Sequence, residues 1–320
     1  MMRKRRITII DWILTQKKWI EDKSFPCFSD WCQEVYFRKS KSWPDPADMA
    51  IAGGFFADRV SYAFAAGYHS SLHRLIPSLP VDTITAFCVT EEGGGHPRAI
   101  KTKMEPVVSS EGGMSLFRIT GTKKFITCAD EAERMVVAVS TGFEAAGKNQ
   151  IRMALLHKGM AGITVIPMKD IHFVPEISHG ILRLEDVEVK ESDLLPGDGY
   201  TEYIKPFRTI EDLHVSAAIL GYLFRISCLY EWPREVKEKI LFLMVTVRAL
   251  AGCDPNAPEV HIACGGFFSQ ISHLVQVAAP FWENVETEVR KAWDRDKELL
   301  DVAGSARARR LKTAWSFYGE

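Results

Sequence analysis

The chain changes its period twice, and this constrains its fold more than any other feature. From residue 83 to 190, short runs rich in Val, Ile, Phe and Thr alternate with turns. They are Thr83–Thr90, Leu116–Ile119, Met135–Ser140, Met153–His157, Ile163–Met168 and Gly180–Val189. Glycines punctuate them at Gly112-Gly113, Gly142, Gly147, Gly159, Gly162 and Gly197. Such spacing predicts an antiparallel β-barrel or sandwich. On both sides the period is helical. Upstream, Met49, Ala52, Phe56, Val60, Tyr62/Ala63 and Ala66 recur on one face, after a Ser42–Pro46 loop. Further upstream, residues 7–38 carry Trp12, Trp19 and Trp31 at spacings that suit helix packing. Downstream, Ile210–Tyr230, Val236–Ala251, Val260–Val289 and Leu299–Phe317 read as four helices of an antiparallel bundle, with a break at Asp254–Pro258. The expectation is α+β: a helical domain over 1–82, a β-barrel domain over 83–198 and a helical bundle over 199–320.

Composition excludes several classes. A chain of 320 residues, 47% hydrophobic, can bury a sizeable core. Its net charge of −1 gives no global field to draw it to nucleic acid. Seven cysteines lie without C-x-x-C spacing, so reduced thiols, a cytoplasmic location and no metal site are expected. The longest apolar run, Ile240–Val247, is too short to span a bilayer. The basic start Arg3–Arg6 leads into Ile7–Ile10, which Asp11 interrupts; this reads as a helix start.

Two segments carry the chemistry. The first is Ala86-Phe87-Cys88-Val89-Thr90-Glu91-Glu92-Gly93-Gly94-Gly95-His96-Pro97, continuing to Ile100-Lys101-Thr102. The second is Gly121-Thr122-Lys123-Lys124-Phe125-Ile126-Thr127. Neither is the G-x-G-x-x-G dinucleotide fingerprint. Three glycines let backbone amides approach a ligand closely; alone, they read as a loop between strands.

Together the segments resemble the middle domain of the acyl-CoA dehydrogenase family, with its T-E-P-G-A-G-S-D, I-K-T and G-x-K-x-W-I-T. Glu92 replaces Pro, His96 replaces Ser, and Phe125 replaces Trp. The resemblance implies FAD, with Thr90 at the pyrimidine side of the ring and Thr127 at N5. Phe125 would pack on the ring, and Gly94, Gly95 and His96 would approach the pyrophosphate. Phe87, Val89 and Ile126 complete the expected cofactor-binding set. It also implies α,β-desaturation of an acyl-CoA, an electron acceptor such as an electron-transfer flavoprotein, and a place in fatty acid metabolism. A homodimer or homotetramer is implied too, for which apolar Phe281, Trp282 and Trp293 on the C-terminal helices are available.

Desaturation needs a base for the Cα proton. Many members carry it in an E-G-T segment, but here the counterpart reads Val302-Ala303-Gly304-Ser305, without a carboxylate. Others place it on the first helix of the bundle, ten residues before a Gly. Glu211 stands at that interval from Gly221 and is the candidate base, with Asp212 and His214 its neighbours. The alternative for Glu211 is a helix-start acid. The cluster Arg307, Arg309, Arg310 and Lys312 reads as a solvated helix face, or else meets a CoA phosphate. Cys264-Gly265-Gly266-Phe267 reads as a close helix crossing. Two other functions remain open. One is a flavin oxidase or monooxygenase on the same fold. The other is a flavin-binding relative that has lost dehydrogenase activity.

Overall fold

A computed structural model describes residues 8–16, 24–107, 116–145, 147–168 and 171–320. Trp19, Arg3–Arg6, Ile7 and Gly112-Gly113 therefore lie outside the described residues. The chain forms two compact units. One comprises residues 1–77, 172–176 and 209–320; the other comprises 78–171 and 177–208. The N-terminal and C-terminal helical segments thus share a single unit.

The helical unit contains α1 (Ile9–Gln16), α2 (Phe28–Trp31), α3 (Phe37–Ser40), α4 (Pro46–Phe56) and α5 (Val60–Leu75). It continues through most of α6 (Lys205–Leu229) to α7 (Arg234–Ala251), α8 (Pro258–Ala278), α9 (Thr287–Asp296) and α10 (Gly304–Phe317). Asp45 starts α4, its carboxylate accepting from the Ala47 and Asp48 amides at 2.9 and 3.2 Å, with Pro46 in the first turn. Helix α4 is buried on nearly every side, so it shows no amphipathic stripe. Small residues let it touch α6 backbone to backbone. A Cβ on Gly54 would stand 1.8 Å from the Ala218 carbonyl oxygen, and one on Gly221 would stand 2.3 Å from that of Ile51. Gly221, noted above only as an interval marker, is a helix-crossing residue.

The expected helix over Val260–Val289 is broken. It ends at Ala278, a 3-10 turn follows over Ala279–Asn284, and α9 begins at Thr287. Pro280 within that turn has no N–H to continue the α-helical ladder. The break folds Trp282 onto Trp293, ring on ring at 4.7 Å and 6°. Both are buried at 4% and 3%, so they serve this chain's own core and not a partner. The Cys264–Phe267 segment is a helix crossing: a Cβ on Gly265 would stand 3.0 Å from Leu311 of α10. Two helical stretches, Gly199–Leu229 and Pro258–Asn284, are long and apolar enough to cross a membrane by length and composition; the first is mostly buried inside the protein.

Among the described residues the other unit has seven strands. They are β1 (Thr85–Cys88), β2 (Lys103–Val107), β3 (Leu116–Thr127), β4 (Arg134–Phe143), β5 (Asn149–His157), β6 (Ile163–Pro167) and β7 (His179–Lys190). The path is β1-β4-β2-β3-β7-β6, with β5 on β4. Most pairings are antiparallel, as expected, but β1 and β2 both run parallel to β4, so the sheet is mixed. Strand β2 was not predicted. Its sequence, Lys103-Met104-Glu105-Pro106-Val107, buries only Met104. Beyond Lys103 it pairs with β3 alone, which leaves an open side where Pro106 is tolerated.

Candidate functional site

The two sequence segments meet in the sheet unit. After β1 the chain turns tightly: the Glu91 and Gly94 amides donate to each other's carbonyls at 3.2 and 2.9 Å. Gly94 has φ +98°, a conformation that favours glycine. The next turn opens with His96, whose Nδ1 accepts from the Arg98 amide. The Gly95 carbonyl accepts from Arg208 at 3.3 Å.

The second segment is the end of β3, and it is bulged. Pairing with β7 runs Lys123↔Leu182 and then jumps to Ile126↔Gly180. Phe125 takes φ +57°, a strained value for a residue with a Cβ. Residues 123 and 125 of an unbroken strand would share a face. The bulge separates them: Lys123 is fully buried and Phe125 is 58% exposed. Bulges often re-aim side chains in this way beside functional sites. The Lys124 amide then donates to the Thr90 carbonyl at 2.7 Å, joining the two segments.

Of the nine residues named for the cofactor, Val89 and Ile126 are core, at 6% and 2% exposure. Phe87 is half-buried and packs on Phe207 at 4.3 Å. Thr90 and Thr127 are half-buried, and their hydroxyls have no hydrogen-bond partner among the described residues. Two free hydroxyls, one just beyond β1 and one at the end of β3, with an exposed aromatic ring and a glycine turn, form a surface that suits a flat, polar-edged heteroaromatic ring.

The residues that hold this surface were missed in the sequence. Glu91 accepts from the Lys101 amide (2.8 Å), the Thr102 amide (3.0 Å), the Thr102 hydroxyl (2.8 Å) and Lys123 Nζ (2.7 Å). Burial works against the carboxylate's charge, but Lys123 and the amides outweigh it and hold its pKa below the ordinary value. Burial pulls the Lys123 ammonium down, with Glu91 opposing. Both lie inside the two motifs, one residue after Thr90 and four before Thr127, but no local pattern signals that they pair.

In the helical unit, Glu211 lies in the second turn of α6, not at its start. It is half-buried. Burial, and then the neighbouring Asp212, push its pKa up to about 8. Asp212 is bound differently. Arg307 and Arg310 of α10 reach it at 2.8 and 2.5 Å. The basic cluster is therefore not all solvated: Arg309 and Lys312 are exposed, but the other two are anchored to this acid. Arg307 also lies 4.1 Å above the Phe268 ring. A cleft of about 250 Å³ adjoins them, lined in part by Thr209, Cys264, Phe268 and Gly304. His214 is buried, donates from Nδ1 to the Ile210 carbonyl at 2.7 Å, and has its pKa lowered to about 4 by burial. It is neutral at pH 7.

Residues 86–187 match the family model described as acyl-CoA dehydrogenase, middle domain. The whole chain is similar to butyryl-CoA dehydrogenase from Megasphaera elsdenii, with TM-score 0.65 and 16% identity over 98% of this chain and 100% of that one. It is similar to acyl-CoA dehydrogenase from Geobacillus kaustophilus, with TM-score 0.67 and 16% identity over 98% and 99%. It is also similar to FMN-bound TdsC from Paenibacillus sp. A11-2, with TM-score 0.68 and 14% identity over 98% of each. No curated protein matches its sequence.

Proposed function

We propose that this chain, which carries an acyl-CoA dehydrogenase middle domain within that family's fold, is an FAD-dependent oxidoreductase that desaturates an acyl-CoA thioester between Cα and Cβ. The observation that carries the reading is the Lys124–Thr90 hydrogen bond. Through it, two segments far apart in sequence present free hydroxyls and an exposed aromatic together. Bound FAD would supply a two-electron acceptor for the hydride leaving Cβ. Thr90 and Thr127 would donate to its ring, Phe125 would pack on it, and Gly94, Gly95 and His96 would meet its phosphates. Glu211 would take the Cα proton. An electron-transfer flavoprotein would reoxidise the enzyme. The fold is also similar to that of the prolyl acyl carrier protein oxidase AnaB, which keeps a flavin oxidase or monooxygenase as an alternative. The absence of a carboxylate at Ala303-Gly304-Ser305 favours a second reading, a flavin-binding relative without desaturation.

Purified protein is expected to be yellow, or to bind added FAD with micromolar or better affinity in calorimetry. Anaerobic addition of a panel of acyl-CoAs is expected to bleach the visible band. A colourless protein that takes up no FAD defeats both readings; a yellow protein that no thioester bleaches leaves the second.

We further infer a homodimer or a dimer of dimers. Phe242 and Val245 support it: they are one turn apart on α7, 63% and 53% exposed. Light scattering at micromolar concentration is expected to give at least twice the chain mass, and a monomer contradicts the inference.

A further inference from the structure

We propose that Glu91 and Lys123 are positioning residues, a buried clasp that sets the geometry of the Thr90–Phe125–Thr127 surface. The proposal rests on the flavin-binding reading above. It begins from a cost. Lys123 is fully buried and its partner nearly so. Taking both charges out of water offsets most of their attraction, so such a pair is weak evidence for stability. What the pair does hold is backbone. Through its amide and hydroxyl contacts, Glu91 ties the start of the glycine turn to Lys101 and Thr102, closing the loop between them. Lys123 reaches from β3 to that same carboxylate, and to the Val89 carbonyl at 3.5 Å.

The clasp sits at the point where the strained bulge begins. With the Lys123 ammonium held inside, the bulge turns Phe125 outward. Gly121 admits the arrangement. A Cβ there would stand 2.5 Å from the Thr102 hydroxyl and 2.6 Å from its Cα, so only glycine lets β3 approach Thr102 this closely. Gly121, Lys123, Glu91 and Thr102 are thereby accounted for without touching a ligand. Each helps fix the residues that would.

A positioning role and a stabilising role separate in the double variant Glu91→Leu/Lys123→Met. Apolar replacement of a whole buried pair is often neutral for stability. Here it also leaves the Lys101 and Thr102 donors unmet, so the urea midpoint is expected to fall while the protein stays folded. FAD affinity, titrated by flavin fluorescence, is expected to fall at least tenfold. In flavin-free protein, hydrogen exchange over 89–102 and 121–127 is expected to quicken. Should the double variant fail to fold, Thr102→Val removes one contact to Glu91, and a threefold or larger loss of FAD affinity is expected at an unchanged melting temperature. Wild-type affinity together with wild-type exchange in the folded variant overturns the clasp. If wild type itself binds no FAD, the proposed function fails, and the exchange arm still decides whether the clasp holds the surface.

Discussion

Glu211→Gln is expected to slow flavin bleaching by an acyl-CoA at least about a hundredfold, the low end for loss of a general base. FAD and thioester binding should be kept, since the amide matches the carboxyl in shape. Bleaching in wild type is expected to rise with pH. A base acts deprotonated, and Glu211, with a pKa near 8, is mostly protonated at pH 7. The same shift governs stability, with the opposite sense. The folded pKa lies above the ordinary 4.5, so the folded state holds its proton more tightly than the unfolded chain. That contribution is fully present below pH 4.5 and is lost as pH rises through about 8. Taking up that proton on folding at pH 7, well above the unfolded pKa, therefore costs the ligand-free protein roughly 3 kcal/mol, at about 1.4 kcal/mol per unit. The amide removes this penalty. Melting temperatures of variant and wild type should coincide near pH 4.5 and separate by several degrees at pH 8, the variant being higher. A variant that bleaches as fast as wild type places the base elsewhere. Parallel melting curves across that range remove the proton-holding Glu211.

What could be read from the sequence follows the range of the interactions. Six of the seven strands announced themselves through β-branched and aromatic runs, because each half-buried strand needs apolar residues of its own. Strand β2 did not, since Lys103, Glu105 and Pro106 face outward and a single methionine faces in. The parallel pairing of β1 with β4 joins residues 49 positions apart (Thr85 with Arg134), and no local signal encodes it. The segments that carry Thr90 and Thr127, joined by the Lys124–Thr90 hydrogen bond, were legible as motifs. The bulge at Phe125 was not: its backbone conformation is imposed by pairing to β7 and by the buried Lys123. Pro280 was visible, but the apolar periodicity around it read straight through the break.

Asp212 shows the limit most sharply, because from sequence it was interchangeable with Glu211. Two acids side by side on α6 point about 100° apart around the helix. One makes no ion pair among the described residues, and Arg307 only partly offsets the burial that raises its pKa; the other is met by Arg307 and Arg310, 95 and 98 residues away. Asp212→Asn is therefore expected to do the reverse of Glu211→Gln. Removing one partner of a buried ionic group leaves the other charges uncompensated, at about 3–5 kcal/mol. Both arginines retain some solvent contact, at 17% and 21% exposure, so about 2–3 kcal/mol is the expected loss. It is read from the urea midpoint at pH 7. The loss should shrink at high salt, where free guanidinium groups are screened. Flavin bleaching per folded molecule should stay within about threefold of wild type, because both Asp212 carboxylate oxygens are already engaged by Arg307 and Arg310. A stable Asp212→Asn variant that no longer bleaches exchanges the roles of the two residues, and makes the α10 arginines part of the proton-abstracting site instead of its scaffold.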